Sequence, residues 1–135
     1  MNEARLIFSL RNSEHYVRGS DFSNEDLKSV PASSVALSLE GADVDDEGIL
    51  GLSRLRSLRV IDLDNTKVTD RCLVEVARLP ALEELWLECT SVTDAGLKEL
   101  HSLRNLKFVS LAYTAATQQG VEALRRAIPG VEVSS

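Results

Sequence analysis

Residues 85–106 read L-W-L-E-C-T-S-V-T-D-A-G-L-K-E-L-H-S-L-R-N-L, and most of the chain repeats this stretch. A step of 24 residues back from Leu87 reaches Leu63 and then Leu39, and the same step forward reaches Leu111. The step also links Leu37, Ile61, Leu85 and Val109, then Val44, Val68, Val92 and Ala116. It links Ile49, Leu73, Leu97 and Val121, and finally Leu52, Val76, Leu100 and Leu124. Five columns kept in register over four copies define a structural repeat. One unit of this length cannot bury its own apolar face and must stack on the next, so the expected architecture is a solenoid.

Within a unit, the alternation Leu85, Leu87 reads as a short strand with Trp86 and Glu88 on its other face. Thr-Asp at 69–70 and 93–94 then precedes an apolar i, i+3, i+6 pattern, which places good N-cap residues at the start of a helix. A strand, a helix and a parallel strand coil right-handedly, so copies at 35–58, 59–82, 83–106 and 107–131 predict a curved parallel sheet inside and helices outside.

The ends are less regular. Residues 20–30, S-D-F-S-N-E-D-L-K-S-V, lie over 90–100 with Phe22, Leu27 and Val30 at the apolar positions, like a worn extra repeat closed by Pro31. Before it, A-R-L-I-F-S-L at 4–10 and H-Y-V-R at 15–18, separated by R-N-S-E, predict a β-hairpin. Residues 1–34 therefore form an N-terminal cap of hairpin and degenerate repeat, and 35–135 the four repeats and C-terminal end, in one domain. The fourth repeat replaces Thr-Asp by Thr117-Gln118 and Val by Ala116, which predicts a frayed end finished by a short strand around Val131 and Val133.

Composition agrees with stacked layers. Apolar residues make up 44% of 135, but aromatic ones only 4%, so the core is filled by Leu, Val, Ile and Ala. A net charge of −6 argues against a general nucleic-acid or anionic-membrane binder. Cys72 and Cys89 fall in different columns and form no metal-type pair. No apolar run is long enough to span a bilayer, and the N-terminal apolar stretch is too short for a signal peptide. The expected location is the cytoplasm.

The pattern L-x-x-L-x-L-x-x-T-x-V-T-D-x-G-L-x-x-L, met by Leu82, Leu85, Leu87, Thr90, Val92, Thr93, Asp94, Gly96, Leu97 and Leu100, resembles the leucine-rich repeat. It is similar to the helix-bearing type of ribonuclease-inhibitor-like proteins, bacterial repeat proteins and the repeat halves of F-box receptors, over residues 35–131. Residues 1–34 are too short for an F-box module, so that connection is not carried over. The resemblance implies an α/β solenoid that binds protein through its concave sheet. It also implies that the column Ala42, Thr66, Thr90, Thr114 takes the place of a side-chain ladder bonded to backbone in neighbouring loops.

Strand alternation then lays out the concave face by columns. These are Ala36, Val60, Glu84, Phe108; Ser38, Asp62, Trp86, Ser110; Glu40, Asp64, Glu88, Ala112; and Gly41, Asn65, Cys89, Tyr113. Glu40, Asp64 and Glu88 would stack about 4.8 Å apart, with Asp62 and Glu84 close by. Like charges across strands destabilise a sheet, so a ladder of them points to a partner. The partner-binding candidates are Glu40, Asp62, Asp64, Glu84, Trp86, Glu88, Phe108 and Tyr113, with Trp86 as an exposed anchor and the acids drawing Lys or Arg of a basic protein. The plainer alternative is a solvated sheet face with Trp86 flat against its neighbours.

Arg54, Arg78 and Arg126, with Arg56 and Arg104 and then Arg59 and Lys107, form a basic edge near helix C-termini, where cations complement the helix dipole without any ligand. No nucleophile elbow, phosphate loop or zinc motif occurs, and His15 and His101 lie far from both cysteines in the repeat scheme. No enzyme activity, metal or cofactor is expected. The reading is a monomeric, non-catalytic interaction module, with a weak dimer through a terminal edge allowed. The alternative is an assembly subunit docking by its ends or convex helices. Five strands would span only about 20 to 25 Å.

Overall fold

The computed structural model describes residues 5–135. The 24-residue step is the register of its sheet: Leu37 pairs with Ile61, Ile61 with Leu85 and Leu85 with Val109. The strands are β1 Tyr16–Arg18, β2 Ala36–Ser38, β3 Val60–Asp62, β4 Glu84–Trp86, β5 Phe108–Ser110 and β6 Glu132–Ser134. All pair in parallel, in chain order. The inward residues of β2 to β5, with Leu39, Leu63, Leu87 and the helix-facing leucines, are buried in one continuous core, and Val17 of β1 and Val133 of β6 pack half-buried against it.

A short helix, α1 Leu6–Leu10, precedes the sheet. The return segments are short as well. They comprise α2 Asp46–Ile49, α3 Asp70–Val76, α4 Asp94–Leu97 and α5 Gln118–Ala127, with 3₁₀ turns at Glu25–Ser29, Leu52–Arg54 and Lys98–Ser102. Helices of this length do not persist alone, so stacking of their apolar side holds them. Thr69, Thr93 and Thr117 are N-caps, each accepting a backbone N–H from the first turn.

A second bond set joins the repeats. Asp70 accepts from the Thr93 N–H at 2.7 Å and from the Thr93 hydroxyl at 2.5 Å. Asp46 holds Thr69 in the same way, and Asp94 holds Thr117. In the cap, Asn24 and Asp45 exchange two bonds instead. The glycines of this column make room for the acid: a Cβ at Gly96 would collide with Asp70 Oδ1, and one at Gly120 with Asp94 Oδ1. The Asp of one repeat and the N-cap Thr of the next thus form an inter-repeat latch, with Cys72 in place of glycine at the Asp46–Thr69 pair. The Thr66, Thr90 and Thr114 hydroxyls instead donate within their own repeats, to the carbonyls of Leu63, Leu87 and Leu111. The neighbouring-loop ladder expected of them is made by Asp46, Asp70 and Asp94.

Three expectations are corrected. The hairpin does not form: Leu6–Leu10 is the helix α1, and β1 runs parallel to β2 as the strand of the worn repeat. Ala4, the first residue of the expected hairpin, lies outside the described residues. A helix wins because it puts Leu6, Ile7 and Leu10 together against Ala36, Val60 and Trp86, and because Glu84 takes the free N–H groups of its first turn. Among the described residues the sheet consequently has six strands rather than five. The fourth repeat is not frayed, since α5 is the longest helix at 10 residues and β6 pairs regularly with β5.

Candidate functional site

The strand register brings the first two outward columns together as expected, Glu84 beside Phe108 and Val60, and Trp86 beside Asp62 and Ser110. The third column follows, because Asp64 Oδ1 accepts the Glu88 N–H at 2.7 Å and the Ser110 hydroxyl donates to Glu88. Glu40 and Glu88 act on the same two carboxyls, Asp62 and Asp64, so the four acids share one face.

The first column is not open. α1 lies across it, and Glu84 is buried, accepting from the Leu6 N–H at 2.8 Å, the Ile7 N–H at 2.9 Å and the Trp86 indole N–H at 2.9 Å. Phe108 is buried as well, beneath the Arg5 guanidinium, which stands 3.8 Å over its ring and pairs with Glu132 at 2.6 Å. Trp86 is half-buried between Phe108, at 5.1 Å, and Phe8, at 6.3 Å. The indole expected to stand free therefore touches the chain's own N-terminal helix. An apolar first column, Ala36, Val60 and Phe108, is the signal that something covers it; strand alternation alone names no cover.

The fourth column departs from strand geometry. Gly41, Asn65, Cys89 and Tyr113 all have positive φ, between 57° and 74°. They form the turn that ends each strand, where Gly and Asn sit without strain and Cys89 and Tyr113 each cost on the order of 1 kcal/mol. Tyr113 is 86% exposed and, among the described residues, makes no aromatic contact with the Trp86 group.

Between α1 and the second and third columns lies a cleft of about 370 Å³. Its lining includes the acids Glu40, Asp62 and Asp64, the aromatic rings of Phe8, Tyr16 and Trp86, and the cations Arg11 and Arg18. Arg18 stacks over Tyr16 at 5.0 Å and donates to the Arg11 carbonyl, not to an acid. Among the described residues no cation forms an ion pair with Glu40, Asp62, Asp64 or Glu88. Burial drives the Asp62 carboxyl up to about 6, helped by the charges of Glu40 and Glu88 and opposed by the Asp64 N–H. Burial, then the adjoining Asp62, drives Asp64 up to about 7. A cation entering the cleft would relieve this repulsion and release the protons the pair holds.

Part of the basic edge is internally satisfied. Arg54 donates to the carbonyls of Leu27 and Lys28 at a 3₁₀ terminus, and Glu83 pairs with both Arg59, at 2.6 Å, and Lys107, at 3.1 Å. Cys72 is buried, and burial with the charges of Asp46 and Asp70 pushes its thiol far up, away from reactivity. Among the described residues no group of three or more His, Cys, Asp or Glu is placed to hold a metal ion, and no helix is long and apolar enough to cross a membrane.

No protein-family model and no curated protein matches the sequence. Solved structures do match the fold. A leucine-rich-repeat protein of Leptospira interrogans superposes with a TM-score of 0.57 and 22% identity, over 74% of this chain and 25% of that one. An internalin of Listeria monocytogenes superposes with a TM-score of 0.53 and 11% identity, over 89% of this chain and 39% of that one. The chain thus spans a quarter to two-fifths of their length. Parallel strands in chain order, one helical return per strand and these two likenesses give the chain the leucine-rich-repeat fold.

Proposed function

We propose that the chain is a non-catalytic protein-interaction module whose concave acidic cleft takes Lys or Arg side chains of a basic partner. The observation that carries this reading is the convergence of Glu40, Asp62, Asp64 and Glu88 on one face with no ion-paired cation among the described residues. Two buried carboxyls held beside two more are costly to the folded chain, and a bound cation offsets that cost. Tyr16 and Trp86 offer an aromatic wall for the apolar stem of the same side chain. The ribonuclease-inhibitor-like resemblance of the V-T-D-x-G-L repeats and a cytoplasmic setting fit this use.

A lysine-rich peptide tests it. Binding should weaken roughly tenfold or more between 50 mM and 500 mM salt, and Asp64→Asn with Glu88→Gln should remove it. Salt-independent binding, or binding indifferent to both substitutions, would exclude the acidic cleft. A second reading is favoured by β6, an end strand whose outer edge has no neighbour in the sheet among the described residues. An assembly subunit docking there would elute as a dimer at high concentration, whereas a concave-face binder stays monomeric.

A further inference from the structure

The concave face already holds a short basic and apolar segment, and it comes from the chain itself. Arg5 lies over Phe108 and pairs with Glu132, and the apolar turn Leu6–Leu10 sits on Ala36, Val60 and Trp86 with its first N–H groups on Glu84. This segment reaches from β2 to β6, across the sheet rather than along its end. An end cap would cover the first repeat alone.

We propose that residues 5–10 are a displaceable occupant of the partner site, and that the partner supplies a segment of the same chemistry, an Arg or Lys followed by one apolar helical turn. The inference rests on the interaction-module reading above and names the partner's recognition element. Three observations support exchange. α1 has 5 residues, too few to hold a helix without its seat. Only Ile7 of the helix is buried, and Phe8 is 56% exposed although it touches Trp86. The seat offers charge complementarity at both of its polar points, Glu132 for the cation and Glu84 for the helix start. When α1 lifts, Glu84, Trp86 and Phe108 are exposed together, a combined apolar and acidic surface suited to the incoming segment.

Trp86 is the chain's single Trp and reports the exchange by its fluorescence. The probe is a synthetic peptide, RLIFSLRN, titrated into the full chain and into its Ile7→Asp variant. The tether gives the chain's own segment a high effective concentration, so the wild type should bind the peptide about tenfold or more weakly than Ile7→Asp. Adding Glu84→Gln to Ile7→Asp should lose that gain. An Ile7→Asp chain that keeps the wild-type circular dichroism and a cooperative melt, yet binds no more tightly, overturns the proposal.

Should Ile7→Asp fail to fold, hydrogen exchange of the wild type decides. The Leu6 and Ile7 amides should exchange about 100-fold or more faster than those of Ile61 and Leu85, and equal protection overturns the proposal. A dimer abolished by Arg5→Glu would assign the groove to a second copy and also overturn it. If the lysine-rich peptide binds through Asp64 while RLIFSLRN does not bind, this inference falls and the acidic-cleft reading stands. The reverse result removes the acidic cleft alone.

Discussion

Glu84 and Trp86, two places apart on β4, are joined by an indole N–H to carboxylate bond of 2.9 Å, and the oxygen that accepts it also takes the Ile7 N–H. One buried carboxylate thereby ties the sheet, its only indole and the N-terminal helix together. Glu84→Ala strands three donors, and the loss should be roughly 1 to 3 kcal/mol. It should also shift Trp86 emission to the red as α1 detaches. Urea unfolding followed by fluorescence checks both, and an unchanged midpoint would mean that water replaces the carboxylate without cost.

Gly96 is the receiving side of the inter-repeat latch. Gly96→Ala drives a methyl into Asp70 and should cost roughly 1 to 3 kcal/mol, as overpacking does. The cause is specific, so it can be isolated by a double-mutant cycle: with Asp70→Ala already present, Gly96→Ala should add little. Costs that simply add would trace the effect to backbone entropy instead.

The acid pair gives stability an unusual pH dependence. Asp62 and Asp64 have folded-state values of about 6 and about 7, above their ordinary 3.8. Between about pH 4 and 7 the folded chain therefore holds more protons than the unfolded one, and stability falls as pH rises. Burial works to raise Glu75, but hydrogen bonds from Ser53 outweigh it, and the Arg59 guanidinium holds Glu83 low. Those two lose their contribution only as pH falls through and below the ordinary carboxylate range. The thermal midpoint should thus peak near about pH 4 and drop by several degrees at pH 7.5. Asp64→Asn should flatten that slope, and calorimetry across the range would show a level profile if the pair were ordinary.

Ion pairs on this molecule differ by burial. Glu83 bridges Arg59 and Lys107 with its side chain only 17% exposed, whereas Lys67 and Asp43 are 76% and 82% exposed. Glu83→Ala should cost roughly 1 kcal/mol and Lys67→Ala nothing measurable. Chemical denaturation of both variants in low and high salt makes the comparison.

Much of the fold is legible in the residues alone. Leu39, Leu63, Leu87 and Leu111 repeat at a fixed step, and a periodic apolar pattern has only one way to be buried, so it states both the strand register and the stacking. Thr69 and Thr93 are legible as caps for a similarly local reason. The latch is not, although Asp46, Asp70 and Asp94 share a column with glycines two places on in two of the three cases. Its meaning lies in a bond between repeats, and the spacing shows only that two residues are neighbours.

The order of residues along the chain was enough to set the coil, its register and the sharing of one face by Glu40, Asp64 and Glu88, because strand alternation and a 24-residue period are local and repetitive. What lies on that face was settled in three dimensions. The segment A-R-L-I-F-S-L favours a strand by composition, yet residues 6–10 form a helix, because Glu84, 77 to 78 residues further along the chain, and the apolar first column stabilise that form. Long-range contacts override a local preference that is weak.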